Sequence, residues 1–343
     1  MHHSKIRIGI VGAGGIVLQR HLPALLAMPE VEIVAVSNST YASSERFCRK
    51  HLPHATPLKN WAELVSLREL DVVWIGTPPY MHAPVSISAL EAGRHVFCQA
   101  RMAMNLQEAR EMQATARKRP HLVTMLCPPP HGMRGDAFLR RLLRDQVIGR
   151  PHQIRLQSFS SAFLDAAAPA HWRQRIEMGG VNVLTLGIYV EVLQRWLGPI
   201  RAVTARAKVV HRRRDHYEVQ VPDMVTVLAE FENGAEGVLE FSGVAAFAPG
   251  DRLEVYGDCG TLQYDFNTDT VTAGRVGDRA AQTLEIPAGL EREWTVEKDF
   301  IAAVKAPSGP RPHPTFDEGV AYMRVVQAVA DSLAGQRRVE IAL

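Results

Sequence analysis

The fold of this chain is decided near its start, by the stretch Lys5-Ile6-Arg7-Ile8-Gly9-Ile10-Val11-Gly12-Ala13-Gly14-Gly15-Ile16-Val17. The β-branched run from Ile6 to Val11 predicts a strand that is buried on both faces of a parallel sheet. Glycines follow at once, and residues 18–26 read as a helix. Strand, glycine turn and helix in this order are the context that a dinucleotide-binding fingerprint requires.

The residues of this turn predict how a diphosphate would bind. Gly12 permits the tight turn, and Gly14 lets the backbone approach a pyrophosphate closely. Gly15 and Ile16 lead into the helix, whose first N–H groups attract an anion. Val17 takes the third fingerprint position, where Gly or Ala is usual, so it must pack closely against the strand. The alternative is a strand, turn and helix that bind no ligand.

Composition bounds the class of protein. The length of 343 residues predicts two domains, and 46% hydrophobic with 22% charged residues is typical of a globular protein. A formal net charge of +3 gives no case for a nucleic-acid partner. The 4 cysteines have no metal-ligand or disulfide spacing, which favours a reducing cytoplasm. No apolar run is long enough to predict a membrane span, and no histidine pairs convincingly at metal-ligand spacing with a carboxylate or a thiol.

The residues after the second predicted strand, 31–36, bear on the choice of cofactor. NAD-binding proteins commonly place a carboxylate there, which accepts a hydrogen bond from the ribose 2′-hydroxyl. This chain instead has Ser37, Asn38 and Ser39, which are neutral donors that do not repel a 2′-phosphate. The sequence therefore favours NADP slightly over NAD, and both remain open.

Two later loops follow further strands of the same parallel pattern. Thr77-Pro78-Pro79-Tyr80-Met81-His82 follows the strand 71–76, and Gln99 follows the strand 95–98. The carboxyl ends of central strands border the crevice in which a dinucleotide binds. We therefore expect Thr77, Pro78, His82 and Gln99 to lie at the cofactor.

Several motifs agree in order and spacing with one protein family. They are Gly12-Ala13-Gly14-Gly15-Ile16, Thr77-Pro78-Pro79-Tyr80-Met81-His82, Ala89-Leu90-Glu91-Ala92-Gly93-Arg94-His95-Val96 and Met102-Ala103-Met104-Asn105. By these motifs the chain resembles the glucose–fructose oxidoreductase, inositol dehydrogenase and rhizopine-catabolism (Gfo/Idh/MocA) family, essentially over its whole length.

The resemblance implies an architecture. The expected fold is an α/β N-terminal Rossmann domain with a parallel sheet, residues 1–127, and a C-terminal α+β domain, residues 128–343. The second domain would hold the substrate on an open, mainly antiparallel mixed sheet. The helix 316–334 would pack back on the first domain. The second sheet would build a homodimer or homotetramer.

The chain departs from the family at its expected catalytic residues. Relatives usually have Glu-Lys-Pro where this chain has Gln99-Ala100-Arg101, so an alanine replaces the proton-transferring lysine. Arg101 is the nearest cation; a guanidinium is a poor acid or base, but it can anchor a carboxylate or polarise an oxygen. Thr185 and Tyr189 replace an Asp and a His four residues apart. Tyr189 is either the proton-transfer group or an aromatic residue packed between helix and sheet.

Three more residues receive roles from the resemblance. His131 falls near a substrate-facing arginine or aromatic residue of relatives; otherwise it is an exposed loop histidine. Trp172 and Arg173 resemble a pair that relatives place near the cofactor; otherwise they are a packed tryptophan beside a solvated arginine.

The function expected from these observations is hydride transfer between NADP or NAD and a small hydroxyl or carbonyl compound, such as a sugar or polyol. Because the Lys, Asp and His are all replaced, a second hypothesis is a redox-neutral lyase or isomerase, or a non-catalytic nucleotide-binding protein of the same fold.

Overall fold

The computed structural model describes residues 5–129 and 133–342, so His131 lies outside the described residues. These residues form two compact units. The first unit contains the chain up to Pro128 together with Thr295–Val320. The second unit contains Pro129–Trp294 and the residues from Ala321 onward. The first unit is therefore built from two separate segments, a division that a single boundary after residue 127 does not describe.

The first unit is built on a parallel sheet. Its strands are β1 (Ile6–Val11), β2 (Val31–Ser37), β3 (Thr56–Leu58), β4 (Val72–Ile75), β5 (His95–Cys98) and β6 (Thr124–Leu126). The 6 strands lie in the order β3-β2-β1-β4-β5-β6, and all neighbours pair in parallel. This order reverses between β1 and β4, which is the doubly wound arrangement that binds ligands at the carboxyl ends of its strands. The side chains of Ile8 and Ile10 are fully buried, as predicted.

The helices of this unit begin where the sequence supplies caps. A π-helical turn, Val17–His21, continues directly as α1 (Leu22–Leu26). The others are α2 (Tyr41–His51), α3 (Trp61–Val65), α4 (His82–Glu91) and α5 (Leu106–Arg117), with a 3₁₀ turn at Pro79–Met81. The side chains of Thr40, Asn60 and Asn105 accept hydrogen bonds from the first turns of α2, α3 and α5. Thr and Asn are common at this position because their side-chain oxygens satisfy N–H groups that have no acceptor within the helix.

The second unit contains a mixed sheet. The helices before and beside it are α6 (Asp136–Arg144), α7 (Ile176–Gly179) and α8 (Leu186–Leu197), with a 3₁₀ turn at Trp172–Gln174. The strands are β7 (Pro151–Phe159), β8 (Ile200–Lys208), β9 (Arg213–Arg214), β10 (Tyr217–Glu218), β11 (Met224–Phe231), β12 (Glu236–Ser242), β13 (Asp251–Gly257), β14 (Gly260–Asp265), β15 (Thr270–Arg275), β16 (Gln282–Leu284) and β17 (Val339–Glu340).

Most strand pairs of this sheet are antiparallel. The 9 strands have the order β16-β15-β14-β13-β7-β12-β11-β8-β17, and β9 pairs with β10 separately. The pair of β7 and β12 is parallel, and the other described neighbours are antiparallel. The expected α/β domain with a parallel sheet and the mainly antiparallel open mixed sheet are both confirmed.

One face of this sheet is buried and the other is open. Along β11, Val225, Val227 and Ala229 are buried, whereas Met224 and Leu228 are exposed. Successive side chains of a strand point to opposite faces, so this alternation separates a core face from an open face. Two helices follow late in the chain, α9 (Val296–Lys305) and α10 (Phe316–Gly335). Among the described residues, no helix is long and apolar enough to cross a bilayer.

Candidate functional site

The turn after β1 requires glycine at its first position. Gly12 has a φ of +84°, and a Cβ on it would lie 2.5 Å from the Cγ2 atom of Thr77. Its N–H donates to the carbonyl oxygen of Ser37 over 2.8 Å. The turn is therefore closed against the loop after β4 on one side and the end of β2 on the other.

Val17, at the third fingerprint position, is accommodated by a second glycine. Its side chain is fully buried. A Cβ on Gly76 would lie 2.3 Å from the Cγ2 atom of Val17. The absence of a side chain at Gly76 gives the valine its space, so the helix still packs closely against the sheet.

The turn itself has the features of a diphosphate site. An added Cβ on Gly14 or Gly15 would meet nothing within 4 Å, so the backbone there faces open space. Gly15 and Ile16 begin the helix, where N–H groups have no acceptor within the helix. The hydroxyl oxygen of Thr77 is buried and has no hydrogen-bond partner among the described residues. Exposed amides at a helix start and an unsatisfied hydroxyl beside them fit a bound diphosphate.

The residues after β2 support the turn and leave a neutral surface. The Oδ1 atom of Asn38 accepts a hydrogen bond from the Ala13 N–H over 2.7 Å. Its own N–H donates to the Ser44 hydroxyl over 2.8 Å. Ser37 is buried, whereas Ser39 is exposed. Asn38 thus holds the glycine turn. Of Ser37, Asn38 and Ser39, which were predicted to bind the cofactor, Ser39 is the exposed residue.

His82 joins the loops that follow β4 and β5. It is fully buried, and its Nε2 and Nδ1 atoms each lie 2.7 Å from a carbonyl oxygen, of Thr77 and Arg101 respectively. Burial outweighs the hydrogen bonds to these carbonyls and lowers the pKa of His82 to about 4. Pro78, half-buried, precedes the 3₁₀ turn between them. His82 therefore acts as a tie between two strand ends.

The segment after β5 is buried. Gln99 is 8% exposed and Arg101 is 2% exposed, and the peptide bond between Ala100 and Arg101 is cis. The Nε2 atom of Gln99 lies 2.5 Å from the Nε2 atom of His21. Gln99 directly follows β5, as expected, but the sequence did not predict this partner.

In the second unit, two predicted residues join a polar cluster. Thr185 immediately precedes α8, and its hydroxyl lies 2.8 Å from that of Ser158 on β7. The Tyr189 hydroxyl donates to the carboxylate of Asp251, at the start of β13. Burial, followed by the charge of Asp251, raises the pKa of Tyr189 well above its usual value. We call Ser158, Thr185, Tyr189 and Asp251 the polar cluster.

The geometry bears on the two roles considered for Tyr189. Its side chain is 1% exposed, and its ring packs edge-on against Phe266 with centroids 4.9 Å apart. A phenol in this environment stays protonated at neutral pH, so it is unsuited to be a general base. The contacts therefore favour the packing role. The Asp251 carboxylate, which accepts from the Tyr189 hydroxyl, is half-buried.

Trp172 and Arg173 form a local stack. The Arg173 guanidinium lies 4.3 Å from the centroid of the Trp172 ring. His171 caps this turn by accepting from the Arg173 N–H over 3.2 Å. Burial lowers the pKa of Arg173. Both side chains are half-buried, so the arginine is not simply solvated.

Sequence reasoning missed Asp251, His21 and Glu297. Asp251 is 62 residues from Tyr189, and Glu297 is 276 residues from His21, with which it pairs. Neither pair leaves a local pattern in the sequence. The one available signal was the basic end of the helix after the glycine turn, where His21 follows Arg20.

Comparisons with known proteins follow the same division. Residues 6–126 match the family described as "Oxidoreductase family, NAD-binding Rossmann fold". Residues 137–263 match the "GFO/IDH/MocA C-terminal domain". The two matches together span more than half of the chain.

Individual relatives are similar over nearly their whole length. A dTDP-3,4-didehydro-2,6-dideoxy-alpha-D-glucose 3-reductase of Streptomyces antibioticus is 32% identical over 320 residues, which are 90% of this chain and 92% of the relative. A myo-inositol 2-dehydrogenase of Thermotoga maritima is 25% identical, covering 98% of both chains. The crystal structure of an NAD-binding oxidoreductase from Klebsiella pneumoniae is 27% identical with a TM-score of 0.82, covering 99% of this chain and 100% of the other.

Proposed function

The chain belongs to the GFO/IDH/MocA family of NAD(P)-dependent oxidoreductases, and from this premise we propose that it interconverts a keto group and a hydroxyl group on a sugar or polyol. Its named relatives are oxidoreductases that include a sugar 3-reductase and an inositol dehydrogenase. A redox-neutral or non-catalytic role is therefore not favoured.

The observation that carries the proposal is the glycine turn. Gly15 and Ile16 present backbone amides at a helix start, Gly12 and Gly14 keep the turn before them free of side chains, and Gly76 lets Val17 pack so that the turn is held close to β1. These residues, with Thr77 and Asn38, would hold the dinucleotide, which supplies or accepts the hydride when bound. The relative that is a sugar 3-reductase supports a keto sugar, free or nucleotide-linked, as the substrate class.

We propose NADP over NAD, because the end of β2 lacks a carboxylate. Ser39 is exposed there, and Ser37 and Asn38 are neutral. A 2′-phosphate meets hydrogen-bond donors and no negative charge at this position. Trp172 and Arg173 are proposed as additional cofactor contacts from the second domain.

The substrate half of the site is proposed to include the polar cluster. Thr185 and Ser158 offer hydroxyls that orient a substrate oxygen, and Tyr189 holds the Asp251 carboxylate by a hydrogen bond. Since Ala100 replaces the usual lysine, we assign proton transfer to the half-buried Asp251 carboxylate, which the Tyr189 hydroxyl holds in place. Arg101 and His131 are retained as orienting residues for an anionic or carbonyl group.

The test is turnover of a substrate panel by the purified protein. Keto and hydroxy sugars, free and linked to a nucleoside diphosphate, are mixed with each dinucleotide while the absorbance of the reduced nicotinamide is followed. We expect turnover with one class, and a loss of about 10²–10⁴ in rate for Asp251→Asn. Bound dinucleotide without any change in its redox state across the panel would contradict the proposal.

We further propose that the protein acts in the cytoplasm as a homodimer or homotetramer joined through the open face of its nine-stranded sheet. The exposed Met224 and Leu228 lie on that face, and Leu228 pairs in register with the half-buried Val238 of β12. Apolar side chains grouped on an uncovered sheet fit a second copy of the same surface.

A further inference from the structure

A buried chain of hydrogen bonds crosses the first unit and ends at the predicted cofactor residue Gln99. The Oε1 atom of Glu297 lies 2.5 Å from the Nδ1 atom of His21. The Nε2 atom of His21 lies 2.5 Å from the Gln99 amide nitrogen. His21 is 0% exposed and Glu297 is 1% exposed. The Gln99 amide also bonds with the Cys127 thiol.

The chemistry of these groups fixes the orientation of the amide. A carboxylate oxygen accepts hydrogen bonds, and an imidazole that donates to it from Nδ1 presents the lone pair of Nε2 on its other side. The lone pair of Nε2 then faces Gln99, whose amide N–H donates to it. The Oε1 atom of Gln99 consequently lies on the far side of the amide carbon from His21. A reversed amide would place two acceptors, Oε1 and Nε2, against each other.

The His21 ring is enclosed by aromatic side chains. It makes edge contacts with Trp74 and Phe97, with centroids 5.1 and 5.2 Å away. Those two rings stack on each other at 3.7 Å, and Phe300 packs edge-on against both. The histidine thus contacts aromatic residues of β4 and β5, which Phe300 of α9 supports, while it bonds to Gln99.

The location of this chain connects it to the dinucleotide. His21 ends the helical turn that follows the glycine turn, and Gln99 follows the last residue of β5. The Gln99 N–H donates to the carbonyl oxygen of Ile75, at the end of β4, over 3.0 Å. In a doubly wound sheet these strand ends border the bound ligand. The chain therefore runs from the diphosphate-binding helix to the strand end on the far side of the crevice.

We propose that Glu297 and His21 are positioning residues that hold the Gln99 carboxamide for the nicotinamide half of the cofactor. The Gln99 oxygen is an acceptor suited to an N–H donor such as a carboxamide. The proposal rests on the cofactor assignment made above. It adds that Glu297 of α9, which lies late in the chain, orients Gln99, the proposed cofactor contact directly after β5.

The experiment compares two ligands that differ only in the nicotinamide. The dinucleotide that binds the wild-type protein more tightly, in its reduced form, and its ADP-ribose counterpart are titrated calorimetrically. The emission of the bound reduced nicotinamide is recorded as a second signal. Both ligands occupy the diphosphate site, but only the dinucleotide reaches Gln99.

The variants are His21→Phe, Glu297→Gln, Gln99→Ala and the double variant of His21→Phe with Gln99→Ala, with the exposed His121→Phe as the matched control. We expect His21→Phe and Gln99→Ala each to weaken dinucleotide binding about tenfold, with ADP-ribose binding within about twofold of wild type. The double variant should lose no more than either single variant, because both remove one interaction. His121→Phe should change neither affinity.

Equal losses for both ligands, or no loss for either, in folded Gln99→Ala and Glu297→Gln proteins would overturn the positioning role while leaving the cofactor assignment intact. If the wild-type protein bound neither ligand, the cofactor assignment would fall, and this inference with it.

Discussion

Gly12 and Gly14 are two residues apart, and substitutions at them have different consequences. Gly12→Ala forces a side chain into a left-handed conformation and against Thr77, which we expect to destabilise the fold by about 1–3 kcal/mol. Gly14→Val meets open space in the free protein, so folding should be nearly unchanged while dinucleotide affinity falls about tenfold or more. Urea unfolding and dinucleotide titration separate the two effects. Normal binding by Gly14→Val would show that the diphosphate lies elsewhere.

Ser39 is the exposed residue after β2, where we propose that the ribose of the cofactor binds. Ser39→Asp restores a carboxylate at the end of β2, which repels a 2′-phosphate and accepts from a 2′-hydroxyl. The ratio of NADPH to NADH affinity should shift about tenfold or more toward NADH. Ser39→Ala, which only removes the hydroxyl, is the control and should shift the ratio much less. An unchanged ratio in Ser39→Asp would place the ribose contact at another residue.

His82 predicts a pH dependence of stability. Its pKa is lowered from 6.5 to about 4 in the folded protein, so the unfolded chain binds its proton more tightly. The stability associated with the neutral ring is fully present above about pH 6.5 and is lost as the pH falls toward 4. The total loss is about 3 kcal/mol. Urea unfolding of wild type and His82→Asn across this range should show a smaller slope for the variant, and equal slopes would contradict the assignment.

At the scale of elements, α6 and α8 are joined by one buried carboxylate. Asp136, with its side chain 3% exposed, accepts from the Arg195 guanidinium and from the Trp196 indole N–H, the latter over 2.7 Å. Asp136→Asn removes one of two carboxylates that pair with Arg195, which keeps Glu191, so we expect a loss of about 1.5–3 kcal/mol in the free energy of unfolding.

The exposed pair of Arg117 and Asp317 supplies the control for that substitution. Their side chains are 67% and 63% exposed. Asp317→Asn should cost no more than about 1 kcal/mol, because water already solvates both charges. Chemical denaturation measures both variants. Similar costs for the two would mean that α6 and α8 are held by apolar packing alone.

The sequence predicted those elements whose signals are local. The β-branched run of β1 and the glycines after it each lie within a few residues of the structure they specify. The sheet class of the second unit followed from the resemblance to a family. Contacts between distant residues could not be predicted in this way. The pairs Tyr189–Asp251 and His21–Glu297 depend on how strands and helices pack, which no spacing along the chain encodes.

Neutral side chains gave the least information. The sequence showed that Asn38 could meet a ribose, but not that its Oδ1 atom would instead accept from Ala13 in the glycine turn. An amide both donates and accepts, so its partner is set by the surrounding structure. Likewise, an i and i+4 spacing brought Thr185 and Tyr189 near one another, yet the buried Tyr189 hydroxyl leads to Asp251.

At the scale of the whole molecule, the open face of the large sheet predicts self-association. Leu228 is 53% exposed on that face, so Leu228→Glu introduces a charge where a second copy would pack. We expect the apparent mass in solution to fall toward the 38.0 kDa of one chain, with dinucleotide affinity unchanged. Light scattering after size exclusion measures this. Arg275→Glu, on strand β15 beside the edge strand β16, is the control. Loss of assembly in Arg275→Glu but not in Leu228→Glu would contradict the proposed surface.

The two-segment construction of the first unit has a consequence for biosynthesis. Thr295–Val320 complete this unit, and Glu297 within them bonds to His21 near the start of the chain. A ribosome must therefore translate the whole intervening segment before His21 meets its carboxylate. Until then the nascent sheet lacks the carboxylate that pairs with the His21 Nδ1 atom, so this contact forms only after the second unit's intervening strands have been synthesised.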